Sequence, residues 1–121
     1  MRYRLLLSVV LLALSAQAFA QTGVPGQKFA WDQVAPDLAS AQAYIYKHYD
    51  DGATTGVSFA AVTCAGTTSP FQCEVLIPAF TPGPHATAIS ASNLAGESPK
   101  SAVFSFTFVV TPGSPANIHI K

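Results

Sequence analysis

His85-Ala-Thr-Ala-Ile-Ser-Ala-Ser-Asn-Leu-Ala-Gly-Glu-Ser-Pro-Lys-Ser101 is the stretch that decides the fold of this chain. Through Asn93 its residues alternate, so that His85, Thr87, Ile89, Ala91 and Asn93 share one face while Ala86, Ala88, Ser90 and Ser92 share the other. A period of two is the period of a strand. The Asn-x-x-Gly-Glu-Ser run that follows is turn material, because Asn and Gly accept backbone angles that other residues resist. A second alternation then begins, with Phe104, Phe106 and Phe108 on one face and Ser105 and Thr107 on the other. Three buried rings are expected there as a core anchor.

Working outward, strands are expected at 28–33, 42–49, 57–64, 72–77, 85–93 and 102–110, with turns at 50–52, 65–70, 81–84 and 94–100. The nine prolines fall almost entirely between these segments, where a missing amide donor does no harm. A helix over 37–49 is the competing reading, from Pro36-Asp37 and the alanines, but the aromatic run Tyr44-Ile45-Tyr46 favours a pleated surface. Within that run, Tyr44, Tyr46 and His48 compete with Ile45, Lys47 and Tyr49 for the inner face. Pattern alone leaves the register open.

Residues 1–20 read as an address. Arg2 and Arg4 precede an apolar run over 5–14, and Ala18-Phe19-Ala20 supplies a small-x-small cleavage site. A cleavable Sec-type signal peptide is expected, cut after Ala20, which places the protein in the periplasm or outside the cell. The apolar run is too short to span a bilayer, so no stable membrane insertion is expected after cleavage. Beyond Ala20, Lys28, Lys47, Lys100 and Lys121 face Asp32, Asp37, Asp50, Asp51, Glu74 and Glu97, a net charge of −2 with the imidazoles neutral. There is no basic cluster, which argues against nucleic acid as a partner. Cys64 and Cys73 are the two cysteines; an even count in an exported protein predicts a disulfide.

Residues 28–110 resemble a fibronectin type III domain. Trp31 sits where that family keeps a core tryptophan, Tyr44-Ile45-Tyr46 resembles its aromatic third strand, and His85-x-Thr87-x-Ile89-x-Ala91-x-Asn93 matches its sixth. Ala95-Gly96-Glu97-Ser98 and Ser101 match the loop before the last strand. The resemblance implies an all-β, immunoglobulin-like antiparallel sandwich of about seven strands. It also implies core or corner roles for Trp31, His85, Ile89, Phe104 and Phe106. His85 replaces the family's corner tyrosine, and an imidazole nitrogen can donate to the same stretch of backbone. Phe80 stands in place of a leucine. Residues 21–27 are too short for a full first strand. The Pro/Gly-rich tail over 111–121, ending Pro115-Ala-Asn-Ile-His-Ile-Lys121, reads like the opening of such a domain; 117–121 is expected to supply the missing edge, in its own sandwich or a neighbour's, leaving a monomer or a strand-exchanged oligomer.

Catalysis is not expected. His48 with Asp50 and Asp51 is the one polar cluster of interest, yet pairing it with Ser58 gives no Gly-x-Ser-x-Gly elbow, and Asp50-Asp51-Gly52 suits a hairpin turn. The histidines at 48, 85 and 119 lack zinc spacing, and Asp37, Asp50 and Asp51 fall short of the oxygen ligands that calcium wants. No metal or cofactor is expected. Tyr44, Tyr46 and Tyr49 are a candidate binding surface for a protein or carbohydrate ligand. The expected function is non-enzymatic interaction or spacing at the cell envelope or beyond it. The alternatives are a carbohydrate-binding accessory module, or a subunit that assembles by edge-strand addition.

Overall fold

The computed structural model describes residues 21–121; the leader expected at 1–20 lies outside the described residues. Along the chain come β1 (Gln21–Gly23), β2 (Lys28–Gln33), α1 (Leu38–Ala43), β3 (Ile45–Asp50), β4 (Val57–Ser58), β5 (Thr63–Ala65), β6 (Phe71–Leu76), β7 (Gly83–Asn93), β8 (Gly96–Glu97) and β9 (Phe104–Phe108). Two sheets form a sandwich-like, all-β fold. The larger runs β1-β9-β7-β3-β4, with β8 folded back on β7; the smaller runs β2-β6-β5. Every pairing is antiparallel except β1 with β9, which is parallel.

The alternation in β7 sets the inner face of the larger sheet. Ala91 lies opposite Tyr46 and Ile89 opposite His48, so Tyr46 and His48 turn inward and Ile45 is left exposed. This settles the register of the tyrosine run. Ala88 and Ser90, on the outer face, are also buried. Tyr49 and Ser90 both donate their hydroxyls to Glu97 Oε1, which lays side chains over that face.

Two clusters fill the interior. One gathers Ala35, Ala41, Tyr46, Cys64, Phe71, Cys73 and Ala91; the other gathers Phe29, Val75, Phe106 and Phe108. Trp31, Phe59 and Val62 pack against both and join them. Trp31 is half-buried, stacked 6.0 Å from the Phe59 ring and edge-on to Tyr46 at 5.2 Å.

Cys64 and Cys73 form a disulfide between directly opposed residues of β5 and β6, with Cα atoms 4.0 Å apart. Closing so short a loop stabilises the fold by about 2.5–3 kcal/mol in the chain-entropy account. Such a bond fits an oxidising compartment. No helix among the described residues is long and apolar enough to cross a membrane.

Four expectations need correction. Residues 42–49 are not one strand: Gln42 and Ala43 finish α1, and β3 starts at Ile45. Asp37 caps the helix by accepting from the Ser40 amide at 2.7 Å, and Gln42 then bonds the backbone of Val62 and Cys64. Residues 57–64 divide as well, because the chain changes sheets there. β4 pairs with β3 while β5 pairs with β6, and Phe59 and Val62 turn into the core between them. Phe104 shares the inner face with Phe106 and Phe108 but sits at its open end, 37% exposed against 3% for each of the other two. Finally, 117–121 does not form an edge strand of its own sandwich. β1 takes the free edge of β9, and no strand forms over 109–121.

Candidate interaction surface

An open backbone edge lies beside an apolar groove in this sandwich. Among the described residues, β2 has β6 on one side and no strand on the other. Which of its backbone groups face outward follows from the ladder. The Ile77 amide donates to the Gln27 carbonyl at 2.9 Å, making Gln27–Ile77 a hydrogen-bonded pair. In an antiparallel ladder such pairs alternate with unbonded ones. Phe29 and Trp31 therefore bond to β6, whereas Lys28, Ala30 and Asp32 present their N–H and C=O groups to the open side. The close 4.0 Å spacing at Cys64–Cys73 has the same parity, since the unbonded pairs are the close ones.

Two hollows follow that edge. A groove of about 640 Å³ lies between β2 and the β1–β9 side of the larger sheet, with Phe29, Ile77, Ile89, Phe104 and Phe106 among its walls. A smaller one, about 190 Å³, adjoins Trp31, Asp32 and Gln33 and is closed by Ser98, Pro99 and Ser101. The indole N–H of Trp31 is buried without a hydrogen-bond partner. An extended chain has what this surface lacks: backbone groups for the edge and alternate apolar side chains for the groove.

The residues over 109–121 have no secondary structure and are exposed throughout. The Val109 amide donates to the Gly23 carbonyl at 2.9 Å and carries the line of β9 past its last pair. Ile118 and Ile120 are 93% and 100% exposed.

The polar residues singled out in the sequence are engaged in the fold. His48 Nδ1 meets Asp50 Oδ2 at 2.8 Å, Asp50 Oδ1 accepts from the Thr87 hydroxyl at 2.8 Å, and the imidazole stacks on Phe59. His85 Nε2 lies 2.7 Å from the Thr81 carbonyl. Its Nδ1 lies 2.7 Å from Asp51 Oδ2, and Asp51 Oδ1 also accepts from the Ala86 amide at 2.9 Å. Thr81, His85 and Asp51 thus line up as hydroxyl, imidazole and carboxylate, the hydroxyl 3.3 Å from Nε2. A carbonyl only accepts, so Nε2 must carry a proton and cannot serve as a base toward that hydroxyl.

This clasp joins the turn after β3 to the corner before β7, and it depends on charge. The bond to Asp51, then the bond to Thr81, raise the His85 pKa; the bond from His85, then the Ala86 amide, lower that of Asp51. A raised histidine pKa adds stability fully present below its ordinary value of about 6.5, and lost as pH climbs through the raised one. A lowered carboxylate pKa adds stability above its ordinary value of about 3.9, lost as pH falls through the lowered one. Melting temperature is therefore expected to decline as pH rises above about 6.5, and His85→Gln to flatten that decline. Parallel slopes for the two proteins would remove His85 from this role.

Tyr46 is in the core, so the three tyrosines do not form one surface. Tyr44 packs against the same cluster, and Tyr49 lies under Lys100, whose ammonium sits 4.2 Å from the ring centroid. Asp37 caps a helix while Asp50 and Asp51 bind the histidines. Among the described residues no three metal-ligating side chains gather. The open edge escaped sequence reading because it depends on which strand fails to pair. The shortness of 21–27 was its one trace in the sequence. Comparison with known proteins gave no matching family model, no matching curated protein and no matching solved structure.

Proposed function

We propose that this is an exported, non-enzymatic interaction module of the cell envelope or extracellular space, built as a fibronectin type III-like sandwich, whose work is to take up an extended apolar segment along β2. The open side of β2 beside the groove carries this reading. Three outward residues offer unpaired backbone groups, and Phe29, Phe104 and Phe106 lie where alternate side chains of an added strand would enter. The disulfide agrees with export, as does the basic-then-apolar pattern of residues 1–20. Carbohydrate binding has less support, since it called for adjacent exposed rings and Tyr46 is buried.

The test is amide-resolved NMR of residues 21–121 titrated with two probes, a synthetic peptide of alternating valine and threonine and a chitin oligosaccharide. Peptide-induced shifts at Lys28, Ala30, Asp32 and Phe104 are the expected result. Shifts at Tyr44 and Tyr49 with the oligosaccharide would replace this reading with the carbohydrate one. Silence toward both probes would overturn it.

A further inference from the structure

We infer that the segment taken up along β2 is residues 117–121 of a second copy of this chain. The inference rests on the edge-and-groove reading above and names its occupant. Ile118 and Ile120 alternate with Asn117, His119 and Lys121, the period of a strand with one apolar face, yet both isoleucines stand in water. Two such side chains left in water forgo the stabilisation that burial would bring. The same molecule carries a groove of about 640 Å³ walled by Phe29, Ile77, Ile89, Phe104 and Phe106, and an edge with three outward-facing residues.

Register and charge agree. With 117–121 parallel to β2, Ile118 falls beside Phe29 and Ile120 beside Trp31, the two inward residues of that strand. Lys121 then meets Asp32, the exposed acid of the edge, while Lys28 is already paired with Glu74 at 2.7 Å. Docking gives up one local contact, His119 Nδ1 to the Asn117 carbonyl at 2.8 Å, in exchange for the ladder. Asn117 takes a left-handed φ of 52°, a break between the Pro-Gly-Ser-Pro link and the isoleucines.

The donor is a second molecule because of how each chain leaves its own sandwich. Val109 prolongs the β1–β9 pairing outward, and nothing from there to Lys121 returns to the groove. Each copy thus has an arm to give and, along β2, an edge to receive. Such a contact is heterologous, and repeated it builds a chain of molecules or closes a ring.

The experiment is sedimentation of residues 21–121 over a wide concentration range, with amide exchange read on the same samples. Ile118→Asp with Ile120→Asp removes the donor face without touching the core. Ala30→Pro removes an N–H that faces the open side and not β6, so the sandwich is retained. The wild type is expected to form concentration-dependent oligomers, with amides of Lys28, Ala30 and Asp32 slowed ~10-fold or more, and both variants to stay monomeric. Adding the peptide 114–121 to the double-Asp variant should restore the slowing. A wild-type monomer with slowed edge amides would mean that the arm pairs within its own chain, and would overturn the inference. A monomer with fast edge amides would overturn it too; binding of the alternating peptide would then leave the interaction reading standing, and its absence would remove both.

Discussion

Replacing Tyr46 with alanine is expected to destabilise the protein by about 3–5 kcal/mol, the range for emptying a large buried ring. Tyr46 is 1% exposed and belongs to the cluster around the disulfide. Its hydroxyl donates to the Ala41 carbonyl at 2.7 Å and lies within 4 Å of both sulfurs, 3.8 Å from Cys64 Sγ and 3.6 Å from Cys73 Sγ. Burial pushes the phenol pKa up to about 12. Tyr46→Phe keeps the ring and removes only the donor, so a smaller loss of about 1–3 kcal/mol is expected from the stranded carbonyl. Urea unfolding of the three proteins measures both steps. A Tyr46→Ala cost within about 1 kcal/mol of zero would mean that the opposite register of β3 is the true one, with Tyr44 and Tyr46 facing water.

Phe106→Ala should cost about as much, 3–5 kcal/mol, whereas Phe104→Ala should cost no more than about 1.5 kcal/mol. The two rings are two residues apart on one strand and one face, stacked with centroids 5.9 Å apart. Phe106 is 3% exposed and packs edge-on with Phe29 at 5.4 Å and Phe80 at 5.0 Å. Phe104 walls the groove and is 37% exposed. The contrast separates a ring that holds the sandwich together from one that walls the groove. Phe104→Ala should accordingly weaken binding of the alternating peptide more than it weakens folding. Equal unfolding costs for the two substitutions would show that the groove is closed in solution.

How far the sequence could be read follows from the range of each contact. Strand 28–33 and the inner face of 85–93 were legible because alternation is local and needs no knowledge of partners. Two signals share the window 37–49: Asp37 and the alanines form α1, and the aromatics that follow form β3. The split at Phe59–Val62 was invisible because an apolar run reads alike whether it stays in one sheet or crosses to the other. β1 has three residues and no pattern, and its partner lies more than 80 residues further on. Of the candidate site, the exposed isoleucines could be read directly, and a missing first strand could be suspected. The open edge required the topology.

The pairing of β7 with β3 also sets the pace at which this molecule is made. Partners in that ladder, from Asp50 with Thr87 to Ile45 with Ser92, are 37 to 47 residues apart along the chain. A sandwich dominated by such distant pairs folds in milliseconds to seconds, slowly for its size, because each loop must close before any contact rewards it. The β5–β6 hairpin is local by comparison, with Cys64 and Cys73 only 9 residues apart. Oxidation can therefore secure it while the larger sheet is still searching. A newly made chain would then wait with its smaller sheet half built and its edges unguarded, which makes the order of disulfide closure and strand docking a matter of solubility as much as of stability.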